Sequence, residues 1–331
     1  MRKLFLPILA LLVAVGSGCG GTGEESGGGG GGGGSLSLVA YSTPKEAYEE
    51  IIPAFQKTEA GRGVKISQSY GGSGEQSRAV QGGLPADVVA LSLEPDVSKL
   101  VDKGLVAEEW NKNPHKGFVT NSVVSFAVRK GNPKNIKTWD DLVKPGVEVI
   151  TPNPFTSGGA KWNVMAAYGS QIQQGKSEAD ATDYLKRLFD NVAVQDKSAR
   201  EALQTFTSGK GDVLIAYENE AITAQQKGED VDYVTPDETI LIQNPVAVTT
   251  ESKGGAKEFV DYLHSDEAQK VFAEKGYRST NADLVDKKRY PDPPGLFEIT
   301  KFGGWSAVND KFFDPDGVVG KIEQDLGVAT G

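Results

Sequence analysis

Residues 64–76 read Val64-Lys65-Ile66-Ser67-Gln68-Ser69-Tyr70-Gly71-Gly72-Ser73-Gly74-Glu75-Gln76. The first seven alternate as a strand does, and the glycines then break the pattern. Ser73, followed three positions later by Gln76, has the capping-box spacing that opens a helix. A strand passing through a Ser- and Gly-rich turn into a helix is the unit of an α/β fold.

The unit recurs. Residues 36–41 form an apolar strand, followed by Ser42-Thr43-Pro44 and the helical pattern Tyr48, Ile51, Ile52, Phe55. Pro53 is expected to kink or shorten that helix. A strand at 147–151 leads through Thr156-Ser157-Gly158-Gly159 to a helix at 158–173. A strand at 191–195 leads through Ser198-Ala199-Arg200 to a helix at 199–208, with Ser198 and Glu201 at capping-box spacing. Strands are also expected at 86–91, 122–129 and 213–217, and as two short pieces, 240–243 and 246–249, around Asn244-Pro245. Helices are expected at 218–227, 254–263 and 266–275. Thr138 with Asp141, and Ser177 with Asp180, read as capping boxes of two more.

This alternation predicts α/β architecture with largely parallel sheets. The 331 residues are 38% hydrophobic and 24% charged, enough to bury a core. A body of about 295 residues exceeds one comfortable core, which points to two lobes.

Ahead of the body, Met1-Arg2-Lys3 and an apolar run at 4–15 precede Gly16-Ser17-Gly18-Cys19. The run is shorter than the roughly 20 residues of a membrane span. Residues 1–18 therefore read as a secretory signal peptide. The chain's single cysteine stands where a bacterial lipoprotein signal is cut, so Cys19 is the expected lipidation site. The segment resembles a lipobox, with Gly16 in place of the usual aliphatic residue; a plain signal peptide with an incidental Cys is the alternative. Residues 19–35, with glycine unbroken from 27 to 34, form a flexible linker.

Composition excludes several classes. Lys plus Arg is 35 against 45 Asp plus Glu, a formal net charge of -10, which disfavours nucleic acid as a partner. One Cys excludes a disulfide framework or a thiolate metal cage, and His115 and His264 form no zinc motif. No metal or cofactor is expected. The P-loop pattern is absent, and residues 71–75 match neither G-x-G-x-x-G nor G-x-S-x-G. Two His leave little material for a Ser-His-Asp triad, so an enzyme is not expected. A secreted serine hydrolase using Ser73 or Ser157 is the remote alternative. Glu218 and Glu220 read as surface or helix-cap carboxylates.

Four Ser-bearing helix starts carry the chemistry: at Ser42, Ser73, Ser157 and Ser198. Each alone reads as an N-cap, a hinge or a tight turn. A helix start nevertheless leaves backbone N–H groups without partners at the positive end of the dipole, and glycine admits a ligand close to the backbone. Brought together, such ends would hold an anion without Lys or Arg.

A longer set of segments resembles one family. These are residues 68–76, Ala86-Asp87-Val88-Val89, Val128-Arg129-Lys130-Gly131-Asn132-Pro133-Lys134, Lys144-Pro145-Gly146-Val147 and Val149-Ile150-Thr151-Pro152-Asn153-Pro154. To them are added Ser157-Gly158-Gly159-Ala160-Lys161-Trp162-Asn163, Gly211-Asp212-Val213-Leu214, Glu218-Asn219-Glu220-Ala221 and Phe302-Gly303-Gly304-Trp305. From about Leu38 to Phe313 the chain resembles the sulfate- and thiosulfate-binding proteins of bacterial ABC importers.

The resemblance implies a two-lobed periplasmic-binding-protein-like fold of type II, each lobe a mostly parallel sheet flanked by helices, joined by hinge strands. Lobe I would comprise 36–121 plus 246–331, with part of the C-terminal segment after about Phe297 crossing over; lobe II would comprise 122–245. Crossovers are expected near 120–123 and 244–247. The implied ligand donors are Ser42 and Ala199 through backbone N–H, with Ser73, Ser157, Gly158 and Gly159. Tyr217, standing where the family has Trp, would donate through its hydroxyl. Family members often have Asp where Ser42 stands. Lys161 and Arg200 are expected beside the site, structural or in outer salt bridges. The implied partners are sulfate, ABC permease and ATPase subunits, and the membrane through lipidated Cys19, with a monomer outside the cytoplasm. None of the matched positions is Asp or Glu, so the proton of phosphate would lack a strong acceptor. Molybdate or tungstate in the same kind of site, or a sensor that passes closure to another membrane protein, remain alternatives.

Overall fold

The elements follow the strand–turn–helix units of the sequence. In chain order they are β1 (Ser35–Tyr41), α1 (Lys45–Phe55), β2 (Lys65–Gly71), α2 (Ser73–Gln81), β3 (Val88–Ala90), α3 (Glu94–Val101) and β4 (Phe118–Arg129). There follow β5 (Val149–Pro152), α4 (Gly158–Gln173), α5 (Glu178–Asp190), β6 (Val192–Asp196), α6 (Ala199–Thr207), β7 (Val213–Tyr217), α7 (Glu218–Gln226) and β8 (Val231–Val234). Last come β9 (Leu241–Val248), α8 (Ala256–Leu263), α9 (Asp266–Glu274), β10 (Arg278–Ser279), α10 (Gly304–Val308) and α11 (Val318–Asp325). This computed structural model describes residues 34–327. The signal-like segment, Cys19 and the linker up to residue 33 lie outside the described residues. Among the described residues, no helix is long and apolar enough to cross a membrane.

The strands form one sheet in the order β2-β1-β3-β9-β4-β7-β5-β6, with β10 and β8 also paired to β4. Both ends are parallel: β1 with β2 and β3, and β5 with β6 and β7. The middle is antiparallel, built on the long strands β4 and β9. β9 links the first end to β4, and β4 links β9 to the second end. In β9, residues 246–248 pair with β3 and 241–244 with β4; in β4, residues 124–128 pair with β7.

Successive strand residues point to opposite faces, so strands covered on both sides read as apolar runs. In β1, Leu38 and Ala40 pack with Ile51, Phe55, Phe259 and Phe272, while Val39 packs with Val97 and Leu100 on the other face. In β7, Val213, Ile215 and Tyr217 join Phe126, Trp139, Trp162 and Tyr184, while Leu214 and Ala216 join Ile150 and Phe206. Residues Phe297, Ile299, Trp305, Phe312 and Ile322 pack into the cluster of Trp139 and Trp162.

Several local expectations are corrected. Residues 240–249 are not two short strands: β9 runs continuously through Pro245. Proline lacks a ladder donor, but the register shift between Phe118 and Thr120 falls opposite Pro245. Asn244 adds side-chain bonds there, Nδ2 donating to the Ser92 carbonyl at 3.2 Å and Oδ1 accepting from Thr120 at 3.2 Å. The Thr138–Asp141 capping box forms, yet opens only a 3₁₀ turn, Trp139–Val143. Pro53 falls in the last turn of α1, which continues to Phe55. The capping box expected at Ser73 and Gln76 is not made: Gly72 is the N-cap, Ser73 is already helical, and Gln76 donates to Ser69 Oγ at 3.1 Å.

Candidate anion site

The β1–α1 turn and the starts of α2, α4 and α6 converge on one small cavity. Ser42, Ser73, Ser157, Gly159, Ala199 and Tyr217 line it, joined by Tyr41, Thr43, Gly71, Gly72 and Ser92. None of these side chains is charged. Gly158 is not on the wall. It is packed from behind, where a Cβ would lie 2.7 Å from Ser92 Oγ.

Glycine makes the convergence possible. A Cβ on Gly72 would stand 2.6 Å from the Thr156 carbonyl oxygen and 3.0 Å from that of Lys197. The start of α2 is thus pressed against the turns that open α4 and α6. A Cβ on Gly159 would lie 3.4 Å from Ser157 Oγ and 3.6 Å from both Ala199 Cβ and Tyr217 Cε1.

The donors differ in kind. Ser157 is the N-cap of α4, but its hydroxyl makes no capping bond. Its own N–H donates to the Asn153 carbonyl at 2.9 Å. The hydroxyl is therefore available to a guest, as is the first-turn N–H group of Gly159. Ser198 does cap α6, accepting from Glu201 N–H at 3.2 Å, which leaves the N–H of Ala199 at the helix start. The hydroxyl of Ser73 is committed elsewhere. It donates to buried Asp96 at 2.7 Å and accepts from Ser92 N–H at 2.9 Å. Ser73 can offer its backbone N–H, not its side chain.

Tyr217 is the N-cap of α7, and its hydroxyl lies 2.6 Å from Ser92 Oγ, either atom being able to donate. Burial pushes this phenol well above its usual range, so it stays neutral. Ser92 was not among the residues expected from sequence. Its carbonyl accepts from Trp162 Nε1 at 3.0 Å, so it joins α2, α4, β9 and Tyr217. A signal was present: Ser92 follows a strand and precedes a helix, as the other serines do.

The nearby cations do not line the cavity. Arg200 donates to the Glu46 carboxylate, at 2.7 Å through Nη1, and to the Thr43 carbonyl at 3.4 Å. Lys227 also donates to Glu46. Burial opposes ionisation of Glu46, but these two cations outweigh it and hold the carboxyl below its usual range. Lys161 donates to Asn309 Oδ1 at 2.9 Å and lies 4.7 Å above the Phe313 ring; burial lowers its pKa to about 8.

Glu218 and Glu220 are not surface carboxylates: both are buried. Glu218 accepts from Arg278 at 2.9 and 3.1 Å. Glu220 lies behind the cavity wall, near Gly159, Asn163, Ala199 and Tyr217, and burial raises its pKa to about 7. The two histidines stack on each other at 4.0 Å, and neither lines the cavity, so Ser73 and Ser157 have no histidine base there.

Residues 36–278 match the family described as bacterial extracellular solute-binding protein. The chain belongs to the bacterial extracellular solute-binding proteins. It is 44% identical over 339 residues to a sulfate-binding protein of Synechococcus elongatus, covering 98% of this chain and 97% of that one. It is 41% identical over 302 residues to a sulfate-binding protein of Escherichia coli, covering 86% and 92%. The solved structure of the sulfate-binding protein SubI from Mycobacterium tuberculosis superposes with a TM-score of 0.83 at 43% identity, covering 85% of this chain and all of that one. As a solute-binding protein the chain is placed outside the cytoplasm and is a receptor rather than an enzyme.

Proposed function

We propose that this solute-binding protein captures sulfate, with thiosulfate as a second candidate, and delivers it to an ABC permease and its ATPase. The observation that carries this reading is the cavity itself: helix starts and one free serine hydroxyl meet in a space lined by no charged side chain. Sulfate at neutral pH only accepts hydrogen bonds, and backbone N–H groups at helix starts only donate them. The relatives named sulfate-binding support the same ligand.

In this reading residues 36–121 with 246–331 form one lobe and 122–245 the other, with β4 and β9 crossing between them as hinge strands. The residues from Phe297 onward that pack beside Trp162 would belong with the second lobe. An anion touching Ser42 and Ser73 on one side, and Ser157, Gly159, Ala199 and Tyr217 on the other, favours the closed arrangement through its extra contacts there. Lipid on Cys19 would tether this monomeric receptor to the membrane, with residues 19–35 as a spacer. Mass spectrometry of the mature chain tests the tether.

Calorimetry of the purified chain with sulfate, thiosulfate, molybdate and phosphate tests the ligand. Sulfate is expected to bind tightly and phosphate at least about tenfold more weakly, about 1.4 kcal/mol. Equal affinity for the two ends the selectivity argument.

A further inference from the structure

Behind the wall of the anion cavity is a second, smaller one, which Gly159, Asn163, Ala199, Tyr217 and Glu220 help to line. Glu220, on α7, is only 2% exposed, and among the described residues no hydrogen-bond donor reaches either of its carboxylate oxygens. Asn163, on α4, faces the same space. Its Nδ2 donates to the Ile215 carbonyl at 2.8 Å and to Thr151 Oγ1 at 3.0 Å, which fixes the amide and leaves Oδ1 without a donor. Three buried acceptor oxygens thus belong to one cavity, and that cavity has no room for a water molecule.

Buried acceptors without donors are costly, and a buried unpaired carboxylate more so. One hydrogen relieves both: a proton on Glu220 removes its charge and supplies the donor that Asn163 Oδ1 lacks. The ionisable groups around Glu220 are Arg200 on α6, Glu46 on α1, and the phenols of Tyr41, Tyr217 and Tyr277. Burial keeps the three phenols neutral. The Arg200 guanidinium is bonded to Glu46 through its two terminal nitrogens, and its Nε bonds neither carboxylate. On α7 itself, Glu218 is paired with Arg278, and Lys227, just past the end of the helix, with Glu46. Burial raises the Glu220 carboxyl to about 7 against the pull of Arg200. A bond that only the acid form makes raises it further.

We propose that Glu220 is carried as a neutral carboxylic acid that donates to Asn163, and that it is a positioning residue for the anion site, bracing the start of α7 against α4 and keeping the rear of the cavity wall uncharged. This rests on the anion-binding reading above. Gly159, Ala199 and Tyr217 line both cavities, so a negative charge on Glu220 would stand directly behind the groups that face the guest. Repulsion between buried charges is weakly screened. A bound dianion therefore tightens the hold on the Glu220 proton, and by linkage the proton favours the dianion. Sulfate affinity is then full below the pH at which the free protein loses this proton, and falls as pH rises through it.

The test is calorimetry of sulfate binding to the full chain across pH, for the parent and Glu220→Gln; sulfate itself is a dianion throughout. The parent's affinity should be constant from about pH 5 to about pH 7 and fall at least about tenfold by about pH 10. Glu220→Gln copies the neutral acid, so its affinity should stay within about threefold of the parent's acid-side value across the whole range. A parent whose affinity is flat to about pH 10 overturns the proposal. So does an equal alkaline loss in the variant, which assigns the titration to a group such as Lys161. If the variant does not fold, as judged by thermal unfolding, infrared spectroscopy of the parent decides, because a protonated carboxyl absorbs apart from carboxylates. A buried-acid band that survives to higher pH with sulfate than without supports the proposal, and the lack of such a band near neutrality overturns it. A parent that shows the band but binds sulfate at no pH overturns the anion-site reading, and the positioning role with it, while the neutral acid stands; that outcome separates the two.

Discussion

Ser157 is the residue on which the site can be tested most directly. It is buried, caps nothing with its hydroxyl, and sits where α4 begins. Its Oγ therefore has a guest as its natural partner. A hydrogen bond to a charged group contributes about 1.5–3 kcal/mol, so Ser157→Ala should weaken sulfate binding by roughly 10- to 150-fold, measured by calorimetry. Thermal stability should change little, since no protein bond is lost; an unchanged affinity would remove Ser157 from the site. Ser73 looks equivalent in sequence but is not, because its hydroxyl is held by Asp96 and Ser92. Sequence shows which residues begin helices, but not which hydroxyls are already engaged, since that depends on residues 19 or more positions away. Ser92 escaped notice for a related reason. Its importance comes from partners on four distant segments, and no local spacing records them.

At the scale of elements, what sequence makes legible are the units whose signals are local. Strand β7 and helix α4 begin and end where apolar runs and Ser-Gly turns place them. What it hides is the way β9 passes Pro245, because a shift in the neighbouring strand supplies the compensation. The approach of α2 to the starts of α4 and α6 is equally non-local, and it yields a prediction. Gly72 has φ -64° and ψ 137°, a conformation open to alanine. Gly72→Ala should therefore be tolerated by its own turn. The added methyl nevertheless meets the backbone carbonyl oxygens of Thr156 and Lys197, atoms that cannot rotate aside. If α2 and α4 lie in different lobes, the clash blocks closure and spares each lobe. The expected outcome is sulfate affinity reduced at least about tenfold, with near-native thermal unfolding and loss of the sulfate-induced compaction seen in X-ray scattering. Normal compaction in this variant would show that the turns do not close on each other.

For the whole molecule, the two-lobed reading proposed above calls for contacts other than the guest that hold the closed arrangement together. Glu46, in the first turn of α1, takes Arg200 at the start of α6 and Lys227 at the end of α7. The Glu46 and Arg200 side chains are only 14% and 18% exposed, so this contact is less screened than an ordinary surface pair. None of these three residues lines the cavity. In the two-lobed reading proposed above the contact acts on the balance between open and closed forms and should be felt in the release rate more than in the encounter rate. Glu46→Gln should speed sulfate release in stopped-flow measurements by about 3- to 10-fold, corresponding to roughly 0.7–1.4 kcal/mol, with association little changed. The pH dependence has a definite sign. The folded carboxyl is held below the ordinary value of a free glutamate, so its contribution is present above that ordinary value and is lost as pH falls through the lower, folded one. Parent and variant should thus release sulfate at different rates near neutrality and converge in acid. A difference that persists at a pH where Glu46 is protonated, or a slower association as the main effect, would show that Glu46 steers the anion rather than latching the closed form.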